Sequence, residues 1–249
     1  MEITFLGTSS AEPTAQIGYT SFLVDTGKFL ILVDASGNPI QSILAADREP
    51  GVLDLVVLTH YHADHIAGYP ALIQSLSCMG RKKELTVLCS RTTGSKAEQL
   101  LEILDMNSQN TVYPIRVCDG FQDSNLEIEL LEGNHSIPTS MVAIRSGNRR
   151  LLYTSDTAFS RHTAELARGY QTLIHEATFP HARAGEPGNE GHSSAYQAGL
   201  CAGGAGVDRL FLCHICWYKY SHQKAIVEEA RAAFQGEIVL PEPFVWYPL

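Results

Sequence analysis

The chain has no apolar run long enough to cross a bilayer. Nor does it show a basic segment followed by an apolar one near its start, where Met1-Glu2-Ile3-Thr4-Phe5 carries an early acid. A membrane partner and a secretory leader are therefore not expected, and the reading is a cytoplasmic protein. Positive charge is scarce: 18 Lys and Arg stand against 27 Asp and Glu in 249 residues, a formal net charge of −9. That speaks against broad adhesion to nucleic acid, which needs a basic face. It does not exclude a phosphate-bearing substrate, because bound metal ions would make a site locally positive. No biased linker, charge run or internal repeat interrupts the sequence, which favours one domain over 1–249. A Walker A loop and a GxSxG elbow are both missing, so P-loop nucleotide hydrolysis and serine esterase chemistry have no support. The six cysteines include one CxxC, Cys213-His214-Ile215-Cys216. With no second CxxC and a strand leading into it, Cys213 and Cys216 read as buried structural thiols.

What the chain does have is Thr59-His60-Tyr61-His62-Ala63-Asp64-His65-Ile66-Ala67-Gly68, directly after the apolar run 53–58. The run reads as a buried strand. Imidazole and carboxylate together suit zinc and its first-row neighbours. Residues two apart in an extended segment share a face. His60 and His62 are therefore placed to share one ion, while Asp64 and His65 turn toward another.

Further strands are expected at 3–6, 19–24, 29–33, 85–89, 126–131, 151–155, 173–174 and 210–213, with a hairpin turn over 25–28. Helices are expected at 66–76 and at 95–106, the latter with Ser95 as N-cap and Glu98 at the capping-box position. Two more are expected at 193–202 and at 221–234, the last closed by Gly236. Alternating strands and helices place the chain in the α/β class. His135, Asp156 and His214 each follow a strand. If those strands lie side by side, His135 completes the first ion's ligands, His214 the second's, and Asp156 bridges both. His162, His181 and His222 read as surface residues.

The motif over 59–68 resembles the signature of the metallo-β-lactamase superfamily, and the chain is most similar to its ribonuclease Z-like group, the tRNase Z and cyclic phosphodiesterase branch. Phe5-Leu6-Gly7-Thr8-Ser9-Ser10-Ala11-Glu12-Pro13 resembles that group's opening, and Asp34 matches its supporting aspartate. His175-Glu176-Ala177-Thr178-Phe179 and Gly191-His192-Ser193-Ser194 match two of its later motifs. The resemblance implies an αββα sandwich of two mixed sheets flanked by helices, with metal ligands His60, His62, Asp64, His65, His135, Asp156 and His214. It implies two zinc ions, with manganese or iron as alternatives. The function implied is hydrolysis of a phosphodiester, by an endonuclease of RNA 3′ ends or an enzyme for a smaller or cyclic phosphodiester. A metal-bridging hydroxide attacks, Asp64 orients it, and His192 acts as general acid with Glu176 holding its ring. A homodimer is expected on the same ground.

The likeness is incomplete. Only a turn and strands fit in 136–155, where many bacterial ribonuclease Z enzymes insert their tRNA-gripping arm. No basic residue follows Pro13 before Gly18, and Asp34-Ala35-Ser36-Gly37-Asn38 departs from the group's form. A small phosphodiester is thus an alternative to tRNA. A zinc hydrolase of acyl bonds, lactone or thioester, is the second enzyme class to test. A metal-binding scaffold is the non-enzyme one.

Overall fold

The computed structural model describes residues 1–106 and 112–249. In chain order its elements are β1 (Glu2–Gly7), β2 (Ser21–Asp25), β3 (Leu30–Val33), α1 (Pro39–Ala45), β4 (Leu55–Leu58), α2 (Ala63–Ile66), α3 (Tyr69–Cys78), β5 (Leu85–Cys89), α4 (Arg91–Ile103) and β6 (Ile115–Cys118). There follow β7 (Gly120–Gln122), β8 (Leu126–Glu132), β9 (Ser140–Ser146), β10 (Arg149–Tyr153), α5 (Arg161–Leu166), β11 (Thr172–Glu176), α6 (Ala195–Ala205), β12 (Arg209–Cys213), α7 (Gln223–Arg231), β13 (Glu237–Val239) and β14 (Trp246–Pro248). They form two seven-stranded sheets, ordered β14-β1-β2-β3-β4-β5-β6 and β13-β12-β11-β10-β9-β8-β7. Both are mixed: β3 through β6 and β10 through β13 run parallel, and the other pairs are antiparallel.

Alternation along the strands builds the layers. In β3, Ile31 and Val33 enter a core shared with the second sheet, while Leu30 and Leu32 pack outward with α1, α3 and α4. In β12, Phe211 and Cys213 face the shared core, and Leu210 and Leu212 face α6 and α7. Both faces of these strands are buried, so their sequences are unbroken apolar runs. Each such aliphatic side chain contributes roughly 1.5–3 kcal/mol by leaving water. The result is the expected αββα sandwich.

Local helix boundaries differ from the sequence reading. The expected helix over 66–76 is two, α2 and α3, broken at Gly68. A Cβ there would lie 2.7 Å from the carbonyl oxygens of Ala35 and Gly37, so only glycine permits this approach. Helix α4 starts earlier than 95: Ser90, directly after β5, caps it by accepting from Thr93 N at 3.2 Å. It ends before Met106, where Asp105 takes a left-handed φ of 55°. Helix α7 is capped by the imidazole of His222, which accepts from Ala225 N at 3.0 Å, and it ends ahead of Phe234 and Gly236. Helix α6 carries a full capping box, Ser194 with Gln197, and closes on left-handed Gly206. The sequence reading passed over α1, α5, β6, β7, β13 and β14, and covered β9 only within the turn and strands expected over 136–155.

One edge of the sandwich gathers the strand ends that matter. Asp34 follows β3, His60 follows β4, Asp156 follows β10, Glu176 ends β11 and His214 follows β12. Asp34, Ser155 and His214 have φ of 60°, 53° and 50°. Left-handed residues other than glycine cost of order 1–3 kcal/mol and persist only where surroundings enforce them. Here the enforcement comes from ties between the sheets. Ser10 N donates to Ile215 O, Ile215 N to Thr8 O, Ser140 N to Thr59 O, and His214 N to Thr20 Oγ1.

Candidate metal centre

All seven residues named as ligands from sequence meet at this edge. Two groups form, with donor atoms in each lying within 4.8 Å of one another: His60, His62, His135 and Asp156; and Asp64, His65 and His214. Asp156 Oδ2 lies 3.1 Å from His214 Nε2, 3.5 Å from His65 Nε2, 3.7 Å from His60 Nε2 and 3.9 Å from His135 Nε2. One carboxylate oxygen thus stands between the groups. Asp64 Oδ2 is 3.4 Å from His214 Nε2 and 3.5 Å from His65 Nε2.

The hydrogen-bond network orients four of the imidazoles. His65 Nδ1–H donates to Asp34 Oδ2 at 2.8 Å. His60 Nδ1–H donates to Thr59 Oγ1 at 3.0 Å, and that hydroxyl in turn donates to Asp34, which also receives Thr59 N. His214 Nδ1–H donates to Thr178 Oγ1 at 2.9 Å, and His135 Nδ1–H to the Gly191 carbonyl at 2.7 Å. In each ring Nδ1 carries a proton toward its partner, so Nε2 is the nitrogen turned to the cluster. His62 presents Nδ1 instead, 3.1 Å from both His60 Nε2 and His135 Nε2. One Nδ1–H cannot serve two acceptors fully, and His65 Nε2 and Asp156 Oδ1 are buried without a hydrogen-bond partner. Buried polar atoms without partners are costly. A cation among them removes both problems, so the donor set fits divalent metal.

Ionisation agrees with this. Burial, with His65 beside it, holds His60 well below the ordinary imidazole range, and burial with His135 beside it lowers His62. Both are neutral donors at pH 7. Burial opposes the charge on Asp156, but His214, His65 and His60 outweigh it and keep the carboxyl well below its usual range. Burial also opposes protonation of His65, yet Asp156 and Asp34 raise it well above normal. That proton occupies the place a metal ion would take.

Beside the second group lies the Glu176–His192 pair. Glu176 is fully buried. Its Oε1 accepts from Thr157 N at 2.6 Å and from His192 Nδ1 at 3.2 Å, while Oε2 accepts from Thr178 Oγ1 at 2.6 Å and Ser193 N at 2.9 Å. Burial lowers the His192 pKa, but the adjacent Glu176 charge and hydrogen bond overcome this and push it up to about 9. The ring stacks on His214, with centroids 5.2 Å apart, and Asp156, His192 and His214 themselves form a close group. The connection carrying His192 is pinned by Asn189, 2% exposed, whose side chain accepts from Lys219 Nζ and donates to Arg183 O, and whose carbonyl accepts from His192 N.

Sequence reasoning did not identify Thr59, Thr178, Asn189 or the Gly191 carbonyl. Thr59 and Thr178 sit inside the quoted motifs; a backbone carbonyl carries no side-chain signal. Cys213 and Cys216 are free and buried. Cys213 Sγ contacts His175 O at 3.7 Å. His162, His181 and His222 are exposed.

Comparison with known proteins adds four likenesses. Residues 23–215 match the family model described as "Beta-lactamase superfamily domain". Ribonuclease Z of Haloarcula marismortui is 26% identical, over 97% of this chain and 94% of the relative. That alignment runs over 298 positions, more than the 249 residues here, so the relative has segments with no counterpart in this chain. Among solved structures, the metallo-beta-lactamase fold protein YhfI from Bacillus subtilis superposes with TM-score 0.84 at 23% identity, covering 99% of this chain and 98% of that one. Human tRNase Z, short form, superposes with TM-score 0.78 at 19% identity, covering 100% and 98%.

Proposed function

Because the chain belongs to the beta-lactamase superfamily, a family of metal-dependent hydrolases, we propose that it is a dinuclear phosphodiesterase of the ribonuclease Z-like kind. The observation that carries this is the shared oxygen of Asp156 between two donor groups, with a buried Glu176–His192 pair alongside. In this reading His60, His62 and His135 hold one ion, Asp64, His65 and His214 the other, and Asp156 both. Bound divalent ions supply Lewis-acid activation of water and charge stabilisation at phosphorus. Zinc is the expected ion, with manganese or iron as substitutes.

The chain's own groups then divide the remaining work. Asp64, more open to solvent than Asp156, orients the attacking water. Glu176 fixes His192 through Nδ1, leaving Nε2–H to protonate the departing alkoxide. Such general-acid help is typically worth ~10²–10⁴-fold. A thioester releases a thiolate, which has little need of a group held protonated, so the pair favours a phosphodiester over a thioester; a lactone also releases an alkoxide and is separated by the assay below.

The substrate is read as a small or single-stranded phosphodiester rather than a folded tRNA. Strands β9 and β10 are joined by Gly147-Asn148 alone, so no arm rises between His135 and Asp156. A single domain over 1–249, a homodimer and a cytoplasmic location belong to the same proposal.

The test is side-by-side hydrolysis of bis-p-nitrophenyl phosphate, precursor tRNA, a lactone and a thioester by zinc- and manganese-loaded protein. Preference for either acyl substrate would overturn the reading, and inertness toward all four would return the scaffold alternative. His192→Ala is expected to slow a diester with an alkoxide leaving group by at least 10²-fold. Nitrophenolate release should be far less affected and the metal content retained. Equal losses on the two substrates would remove His192 as the acid.

A further inference from the structure

A cleft of about 750 Å³ opens beside the candidate metal centre. Its walls are the start of α4, the β6–β7 junction and the segment from Leu130 to Ser140, which includes His135. The volume is within the ~300–1,000 Å³ typical of small-molecule sites. Arg91 is the one cation among its lining residues; it is exposed and makes no hydrogen bond or ion pair among the described residues. Asp119 and Glu132 face the same space, and Ile137 and Pro138 supply apolar surface.

This combination constrains the occupant. A single guanidinium can bind one phosphate in bidentate fashion, and the two carboxylates disfavour a second phosphate within the same cleft. The carboxylates, being acceptors only, match hydroxyl or amino donors. Ile137 and Pro138 match a flat, weakly polar ring. A nucleoside carrying one phosphate beyond the reacting one has all three features. We propose that the cleft is a nucleotide subsite in which Arg91 takes the phosphate next along the chain from the scissile one. This rests on the phosphodiesterase reading and narrows it: a linear chain with two or more phosphates is favoured over a cyclic mononucleotide.

The experiment is equilibrium binding by calorimetry to zinc-loaded protein, comparing adenosine 3′,5′-bisphosphate with the 3′- and 5′-monophosphates. The bisphosphate should bind about tenfold more tightly than the better monophosphate, as expected for one charge-assisted contact. Arg91→Ala and Arg91→Glu should bring that ratio close to one, and Arg91→Lys should keep part of it. A ratio near one in the wild type, or one unmoved by Arg91→Ala, overturns the subsite. Hydrolysis of bis-p-nitrophenyl phosphate by the wild type reports separately on the parent reading. An Arg91-dependent ratio without hydrolysis leaves a nucleotide site and removes the phosphodiesterase; hydrolysis without the ratio does the reverse.

Discussion

The two donor groups of the candidate centre are built differently. His60, His62 and His135 bring imidazoles, and the carboxylate grouped with them is the shared Asp156. One of the three, His62, has its Nδ1 against two other imidazoles, and His135 hangs from a backbone carbonyl. Asp64, His65 and His214 carry a carboxylate of their own besides Asp156. Both of their rings are braced by charge or by a hydroxyl that is itself braced, His65 by Asp34 and His214 by Thr178, which donates to Glu176; in the first group His60 alone has such a brace, through Thr59 to Asp34. More negative charge and a stiffer surround favour a divalent cation at the second group. On the proposed dinuclear reading the first would be the looser, more exchangeable position.

The largest effect should come from removing what the groups share. Asp156→Ala is expected to lose both ions and at least 10³-fold in turnover, since two-metal catalysis needs both positions filled. Retention of both ions by elemental analysis would contradict bridging. Next in size is the contrast between the groups. Asp64→Ala should empty the tight position, while His62→Ala should leave one ion bound through dialysis against a chelator. Equal depletion in the two variants would erase the asymmetry. Thr178→Val keeps shape but drops the hydroxyl that holds His214 Nδ1. A 10–100-fold loss of affinity at the second group alone is expected, read by metal titration.

The smallest effect concerns pH. The His192 pKa in the folded chain, about 9, lies above its ordinary value, so the protonated form and its pairing with Glu176 are fully present below neutral pH and are lost as pH rises through the folded value. Acid catalysis should therefore fade on the alkaline side, and bound cations would pull that limb down from 9. Glu176→Gln removes the main cause of the rise, so the variant's limb in kcat should lie below the wild type's. Coincident profiles would detach Glu176 from proton transfer.

The division of ligands between the two groups is legible in the sequence, for a local reason. Four donors of the loop and α2 lie within six residues, so their spacing is visible without knowing the fold. His135, Asp156 and His214 were recognisable because each follows an apolar run, yet their meeting depends on sheet order, which no single segment encodes. The bracing was mostly hidden. Thr178 supports His214 across 36 residues of sequence, and Gly191 supports His135 through an atom every residue has. The helix starts at 91 rather than 95 because Ser90 meets the chain as it leaves β5, where its hydroxyl reaches Thr93 N first.

Gly191 also limits how such a fold can vary. Its carbonyl steadies His135, its missing side chain leaves room for that ring, and the next residue is His192. Adding or deleting one residue here would misplace a ligand and a proton donor together. Changes of length that leave this spacing intact have room just upstream, in the exposed run 185–188 before Asn189.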